Sequence, residues 1–192
     1  MAAELEFEPT ATWATTRSGA LAQLANFIEH HLDGFGPYED AVAKDNWALH
    51  HSLLSPYLNN GLISAEEVVT AALEAYDKGD ARIQSVEAFV RQVIGWREYI
   101  NGMYWFLGED YKYLNGLGAQ GELLPVFNAS QQTRMNCVGS VVEAVEQRSW
   151  VHHIPRLMIL SNLALITGTN PQLFLDWMRE QFIDCLLYTS PS

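Results

Sequence analysis

The stretch Ser52-Leu53-Leu54-Ser55-Pro56 sets two hydroxyls three residues apart, beside a proline that fits the first turn of a helix. Hydroxyls and the unpaired N–H groups of a helix start together make an anion site, because donors and helix dipole both favour negative charge. Ser55 is expected as the N-cap, with Ser52 just ahead of it. A plain N-cap, a common use of serine, accounts for the same residues without any ligand. A second constellation is RQVIGWREYING, Arg91 to Gly102, which puts Arg91, Gln92, Trp96, Arg97 and Glu98 within two turns of one helix. Arginine beside tryptophan suits phosphate binding and stacking. A solvated Arg–Glu face is the ordinary alternative. Gly95 inside a helix costs about 1 kcal/mol relative to alanine, which points to a close approach by another group.

All six histidines come as neighbouring pairs: His30-His31, His50-His51 and His152-His153. Neighbours on a helix point about 100° apart, so one pair cannot hold one metal well. HExxH and CxxC are both absent from the sequence. His30-His31 sits in an acidic, amphipathic context and is expected at the surface. His152-His153 precedes Ile154-Pro155-Arg156, where imidazoles could serve as acid or base or hydrogen-bond the helix start.

These residues need elements to hold them. The 192 residues are 48% hydrophobic, enough for one sizeable core and one domain as the default. An aromatic share of 11% argues against disorder. The longest apolar runs are about ten residues, too short to span a bilayer, and no signal segment opens the chain. Two cysteines, Cys137 and Cys185, make no disulfide framework, so a reducing, cytoplasmic setting is expected. A net charge of −12 argues against a general nucleic-acid binder. Yet Arg91, Arg97, Arg134, Arg148 and Arg156 fall in the aromatic-rich middle, which suits an anionic ligand held inside.

Helical periodicity dominates. Arg17–Leu32 carries Leu21, Leu24, Phe27 and Ile28 on one face. Ser64-Ala-Glu-Glu67 reads as a capping box opening a helix that closes near Gly79. Ser85–Asn101 carries the stripe Phe89, Val93, Trp96, Ile100. Thr133–Gln147 follows. HHIPRLMILSNLALITG is then helical, with Pro155 in its first turn and Gly168 at its end. A last helix, capped by Asn170-Pro171, runs to about Asp184. No segment alternates with period two long enough for a sheet, so an all-α domain is predicted, with loops at 1–14, 33–42 and 107–130. CLLYTSPS, residues 185–192, does not continue the pattern and reads as a truncation or cloning artefact, or as a frayed terminus.

HSLLSPYLNNGLIS, FVRQVIGWREYI and HHIPRLMILSN…FLDWMREQFID, in this order and at these distances, resemble the FAD-binding helical domain of the cryptochrome/photolyase family. The resemblance runs from about Trp13 to Asp184 and is closest to the photolyase-related branch, the bacterial iron–sulfur cryptochromes and photolyases. It implies residues 1–184 as a partial helical FAD-binding domain, truncated at both ends, without the family's amino-terminal antenna domain. It implies a blue-light, FAD-dependent lyase that passes an electron to a pyrimidine lesion in DNA.

By that resemblance His51-Ser52-Leu53-Leu54-Ser55 matches the loop that takes the FAD pyrophosphate. Tyr38 matches an upstream cofactor-contacting tyrosine, with the spacing to the loop one residue longer than usual. Arg97 matches an arginine that reaches the FAD phosphates. Trp96 matches a lesion-side tryptophan, with Gln92 beside it as a DNA- or lesion-binding residue. Arg156 and Asp184 match an Arg–Asp pair beside the flavin ring; a cation there favours the reduced, anionic flavin. His153 falls where cyclobutane-dimer photolyases carry Asn, and His152-His153 resembles the catalytic histidines of (6-4) photolyases. Ser52, Ser55, Arg97, Arg156 and Asp184 are expected to converge on one cavity.

Cys137 matches one of four ligands to a four-iron–four-sulfur cluster, which belongs only to a longer protein carrying all four. In this chain Cys137 reads as a buried free thiol. Leu186 stands where classical members have a second acidic residue. The implied partner is damaged DNA, with no membrane, and the protein is expected to be monomeric. Two other readings stay open. One is a blue-light photoreceptor with the same FAD and no repair, which the charge favours. The other is a cofactor-free helical interaction module.

Overall fold

The computed structural model describes residues 13–44, 46–128 and 133–184. They divide into two compact units, one up to Asn101 and one from Gly102. Among the described residues there is no named strand, only an isolated parallel bridge between Gly121 and Thr169. The all-α expectation holds.

The first unit is built from α1 (Arg17–His30), α2 (Leu32–Tyr38), α3 (Ser55–Asn59), α4 (Ala65–Lys78) and most of α5 (Ile83–Leu107). Its core gathers Leu24, Phe27, Leu32, Phe35, Leu54, Ile63, Val68, Val86, Phe89 and Val93. Phe27, Phe35 and Phe89 form an aromatic triangle, with centroids 4.7, 5.4 and 6.1 Å apart. Each such pair adds about 0.5–1.5 kcal/mol beyond area burial. The capping box at Ser64 is formed in both directions: Glu67 N–H donates to Ser64 Oγ at 3.2 Å, and Ser64 N–H to Glu67 Oε2 at 2.8 Å. Gly79 ends α4 at φ 79°, and the Asp80 and Gly79 amides close on the Ala75 and Tyr76 carbonyls. Arg17 ties the two helix starts together by donating to the Leu62 carbonyl and to Glu67.

The segment read as a loop at 33–42 is helical from Leu32 to Tyr38. Gly34, Gly36 and Pro37 in seven residues look like a turn, but tertiary contacts override the propensity. Leu32 and Phe35 are fully buried. The Gly36 amide donates to Ser85 Oγ, and the Ser85 hydroxyl donates to the Asp33 carbonyl at 2.7 Å. The Asp33 carboxylate accepts from the Arg82 amide, Nε and Nη2 at 2.6–2.9 Å.

The second unit holds two 3₁₀ turns (Glu109–Tyr113 and Pro125–Asn128), then α6 (Asn136–Arg148) and α7 (His153–Pro155). A π-helical segment, Arg156–Ser161, follows and leads into α8 (Asn162–Ile166) and α9 (Pro171–Gln181). Val126, Phe127, Val138, Val142, Leu160, Trp177 and Phe182 make its core. Trp177 Nε1–H donates to the Phe127 carbonyl at 2.9 Å, so its one polar atom is satisfied inside that core. Gly121 bonds both ways across the bridge, to Gly168 and Asn170 at 2.8 Å. A β-carbon there would lie 2.7 Å from the Gly168 oxygen, so the bridge requires glycine.

Boundaries moved at helix ends. α1 stops at His30, α5 runs on to Leu107 past the expected Asn101, α6 starts at Asn136, and α9 ends at Gln181 rather than Asp184. The two 3₁₀ turns lie inside the expected loop 107–130. Residues 1–12 and the anomalous stretch 185–192 lie outside the described residues.

Candidate cofactor site

The expected site residues fall into two sets, one in each unit. In the first, residues 51–57 are buried without a break, and the Ser52 and Ser55 side chains are 0% and 2% exposed. The chain reaches this stretch through two bends. Leu49 and Leu53 both have positive φ, 41° and 55°. For a leucine this is strained, at a cost of order 1–2 kcal/mol each, and it persists only where the surroundings enforce it. The bends turn the hydroxyls inward. Ser52 Oγ accepts the Leu54 amide at 3.4 Å, and His51 Nε2 faces the Ala41 carbonyl at 3.3 Å.

Ser55 is the first helical residue and not the N-cap. Leu54 occupies the cap, and its own side chain makes no capping bond. The reason is geometric: with Leu53 left-handed, the helix begins one residue early, and Pro56 sits in its first turn, where its missing N–H costs nothing.

α5 supplies Gln92, Trp96 and Arg97. Gln92 Nε2 donates to Glu39, and Trp96 Nε1–H donates to Gln92 Oε1 at 2.8 Å, so these side chains form one chain. Trp96 is 46% exposed. The expected stripe Phe89, Val93, Trp96, Ile100 is therefore core only at its first two positions. Arg97 donates through Nη1 to the Val93 carbonyl at 2.8 Å. It is half-buried, and burial lowers its proton affinity. Among the described residues no carboxylate pairs with it, in contrast to Arg17, Arg82, Arg91, Arg156 and Arg179. A half-buried cation with no counter-ion among the described residues has the chemistry to take an anion. Gly95 is open, with only the Arg91 stem near, so no close approach explains it.

Tyr38 ends α2 and is half exposed, its ring stacked on His50 at 5.3 Å and 15°. His50, noted in the sequence only as one of a histidine pair, was given no role there. The signal was Gly34: a β-carbon there would fall 2.4 Å from the His50 imidazole. His31, expected at the surface with exposed His30, is half-buried and packs against His50 with centroids 5.7 Å apart. Burial, then His50 and His30, push its proton affinity down.

In the second unit, Arg156 and Asp184 form a buried bidentate pair. Nη1–Oδ1 is 2.9 Å and Nη2–Oδ2 is 2.8 Å. Their side chains are 7% and 1% exposed. Arg156 Nε also donates to the Val151 carbonyl at 2.7 Å, and the guanidinium lies over the Phe182 ring at 4.2 Å. The His152 and His153 rings are 4.3 Å apart. His152 is buried, and its Nδ1 accepts the Ile154 amide at 3.4 Å, so the helix-start bond belongs to His152. His153 is half-buried. Cys137, expected as a buried thiol, is exposed in the first turn of α6, because the buried face there is Val138, Val141 and Val142. No group of three or more His, Cys, Asp or Glu among the described residues is placed to hold a metal. No helix among them is long and apolar enough to cross a membrane.

No family model matches the chain. It is 42% identical over 172 residues, 90% of its length, to a curated (6-4) photolyase of Agrobacterium fabrum, of which it spans 34%. Over 74 residues it is 38% identical to an uncharacterized protein of Acanthamoeba polyphaga mimivirus, covering 57% of that protein. Its fold matches the crystal structure of a bacterial class III photolyase from Agrobacterium tumefaciens with a TM-score of 0.75 at 21% identity, covering 96% of this chain and 39% of that one. The chain thus spans about a third of the length of the photolyase it matches. With three motifs in the family's order on the family's helical fold, it belongs to the photolyase/cryptochrome family.

Proposed function

We propose that the chain is the cofactor-holding part of a blue-light, FAD-dependent photolyase that repairs pyrimidine lesions in damaged DNA, (6-4) photoproducts among them. The observation that carries this is the 42% identity to a (6-4) photolyase across nearly the whole chain. The donor set fits the cofactor. A pyrophosphate needs hydroxyls, amides and a cation without a counter-ion, and Ser52, Ser55 and Arg97 supply them. FAD, when bound, supplies the light-driven electron.

The chain's own residues do the rest. His51, Ser52, Leu53, Leu54 and Ser55 present the phosphate loop, with Tyr38 at its edge and Arg97 neutralising charge. Arg156 holds a positive charge where the flavin ring is expected, and Asp184 fixes its plane by two hydrogen bonds. Gln92 orients the Trp96 ring through its indole N–H for stacking on the lesion side. Of the two histidines, His152 makes the helix-start bond, which leaves proton donation to His153. Cys137 would be one of four cluster ligands in a longer protein. With two cysteines this chain cannot supply a four-thiolate set, and no step is derived through a cluster.

A net charge of −12 favours a second reading, a photoreceptor with the same flavin and no repair. One assay separates the two. The full protein carrying this sequence is illuminated with blue light on oligonucleotides containing a defined (6-4) or cyclobutane lesion. Restored bases support repair. Flavin absorbance with both lesions untouched leaves the photoreceptor. No flavin retained at all removes both.

A further inference from the structure

His50 belongs to no motif that the function above uses, yet its ring is packed on three sides. Its imidazole lies face to face with Tyr38, edge to face with His31, and against the bare α-carbon of Gly34. It is flanked by Leu49 in the left-handed region, whose amide is held by Asn46 Oδ1 at 3.0 Å, and three residues later comes left-handed Leu53. A strained bend needs an anchor, and the imidazole on α2 is that anchor. The Nδ1 atoms of His31 and His50 are both buried with no hydrogen-bond partner among the described residues. A neutral imidazole tolerates this, because Nδ1 then shows only a lone pair. A protonated His31 would bury an N–H donor with no acceptor, against the His50 ring.

We propose that His50 is a positioning residue: seated on Gly34 and Tyr38, it holds residues 49–55 in their bent conformation while the His31 ring packed against it is neutral, and the loop is released when His31 takes a proton. The proposal rests on the reading of this loop as the phosphate site, since Tyr38 and Ser52 would then be placed together by one ring.

The other charged groups at this corner do not supply the effect. Asp33 on α2 is held by Arg82 from the start of α5 at a pKa of about 2, so it stays charged throughout the histidine range. Its carboxylate accepts three Arg82 hydrogen bonds, which occupy both oxygens. Glu39 is bound by Gln92 from α5. His30 is exposed beside Glu29, and His51 faces the Ala41 carbonyl. Burial and the two neighbouring histidines lower the proton affinity of His31, so the unfolded or opened chain binds the proton first. Closure is therefore complete above pH ~6.5 and is lost as pH falls below it.

The test is hydrogen exchange of the 192-residue chain, read on peptides covering residues 49–55 between about pH 8 and pH 5 and corrected for intrinsic rates. In the unaltered chain, protection should fall about tenfold per pH unit below the histidine range, the slope for one proton taken up on opening. His31→Phe keeps an aromatic ring against His50 and cannot take a proton; the slope should flatten there, while peptides from α4 stay as they were. A slope that survives in His31→Phe overturns the proposal. Gly34→Ala pushes on the imidazole without touching its chemistry, and should lower protection of the loop already at neutral pH. Full protection in that variant also overturns it. Adding FAD separates the two readings: if acid opens the loop as expected but FAD never slows its exchange, the anchoring role of His50 stands and the phosphate reading falls.

Discussion

Replacing Asp184 by alanine tests the second unit at its most demanding point. The substitution removes two hydrogen bonds, at 2.8 and 2.9 Å, from a guanidinium that is 7% exposed. The guanidinium keeps its bond to the Val151 carbonyl and its seat over the Phe182 ring, but loses its carboxylate. Breaking a buried pair by deleting one partner costs about 3–5 kcal/mol, mostly from the charge left behind. The cation–π contact, about 2 kcal/mol when desolvated, cannot offset this because it is present in both forms. With a urea slope of about 2 kcal/mol per M, the midpoint should fall by about 2 M. The measurement is urea unfolding followed by tryptophan fluorescence, since Trp150 lies 6.0 Å from the guanidinium and Trp177 is in the same core. The double variant Arg156→Met, Asp184→Leu removes both charges and should recover about half of the loss. The remaining deficit, about 1–3 kcal/mol, is the Val151 carbonyl left without its donor. A midpoint shift below about 0.5 M in Asp184→Ala, or a double variant no better than the single one, would refute the reasoning. Because the pair is buried, raising salt should change the shift little.

Arg97→Ala should weaken retention of FAD about 10- to 100-fold, the worth of a charge-assisted phosphate contact of about 1.5–3 kcal/mol, and unchanged affinity in a flavin titration would remove the assignment. His153→Asn keeps a hydrogen-bonding side chain of similar size without a transferable proton, so lesion repair should drop while flavin content holds; full repair would return the role to another group. Hydrogen bonds from Arg17 and from the Ser64 amide hold Glu67 at a pKa of about 2, below its ordinary 4.5. Its contribution is present above pH 4.5 and lost as pH falls through about 2, so Arg17→Ala should move the acid unfolding midpoint upward, read by circular dichroism. The same midpoint in both proteins would show that the Arg17–Glu67 pair has no part in acid stability.

The chain by itself determined its helices wherever the signal was local. The Ser64–Glu67 box, Gly79 at φ 79° and Asn170-Pro171 at the start of α9 all act within a few residues, and each is formed as read. The family motifs were legible for the same reason, being short runs of fixed spacing. What the sequence could not decide depended on groups far along the chain. α2 is helical because Ser85 and Arg82, about fifty residues away, bond Asp33 and Gly36. Cys137 is exposed because the valines beside it turn inward, and periodicity alone cannot say which face of α6 finds a core. His31 and His50, nineteen residues apart, meet only because Gly34 lets the loop close onto α2. The left-handed Leu53 moved the N-cap from Ser55 to Leu54, a strained backbone state that no residue-type preference for leucine would favour. Local hydrogen bonds can be read from spacing; burial, strain and the pairing of distant side chains exist only once the chain has closed on itself.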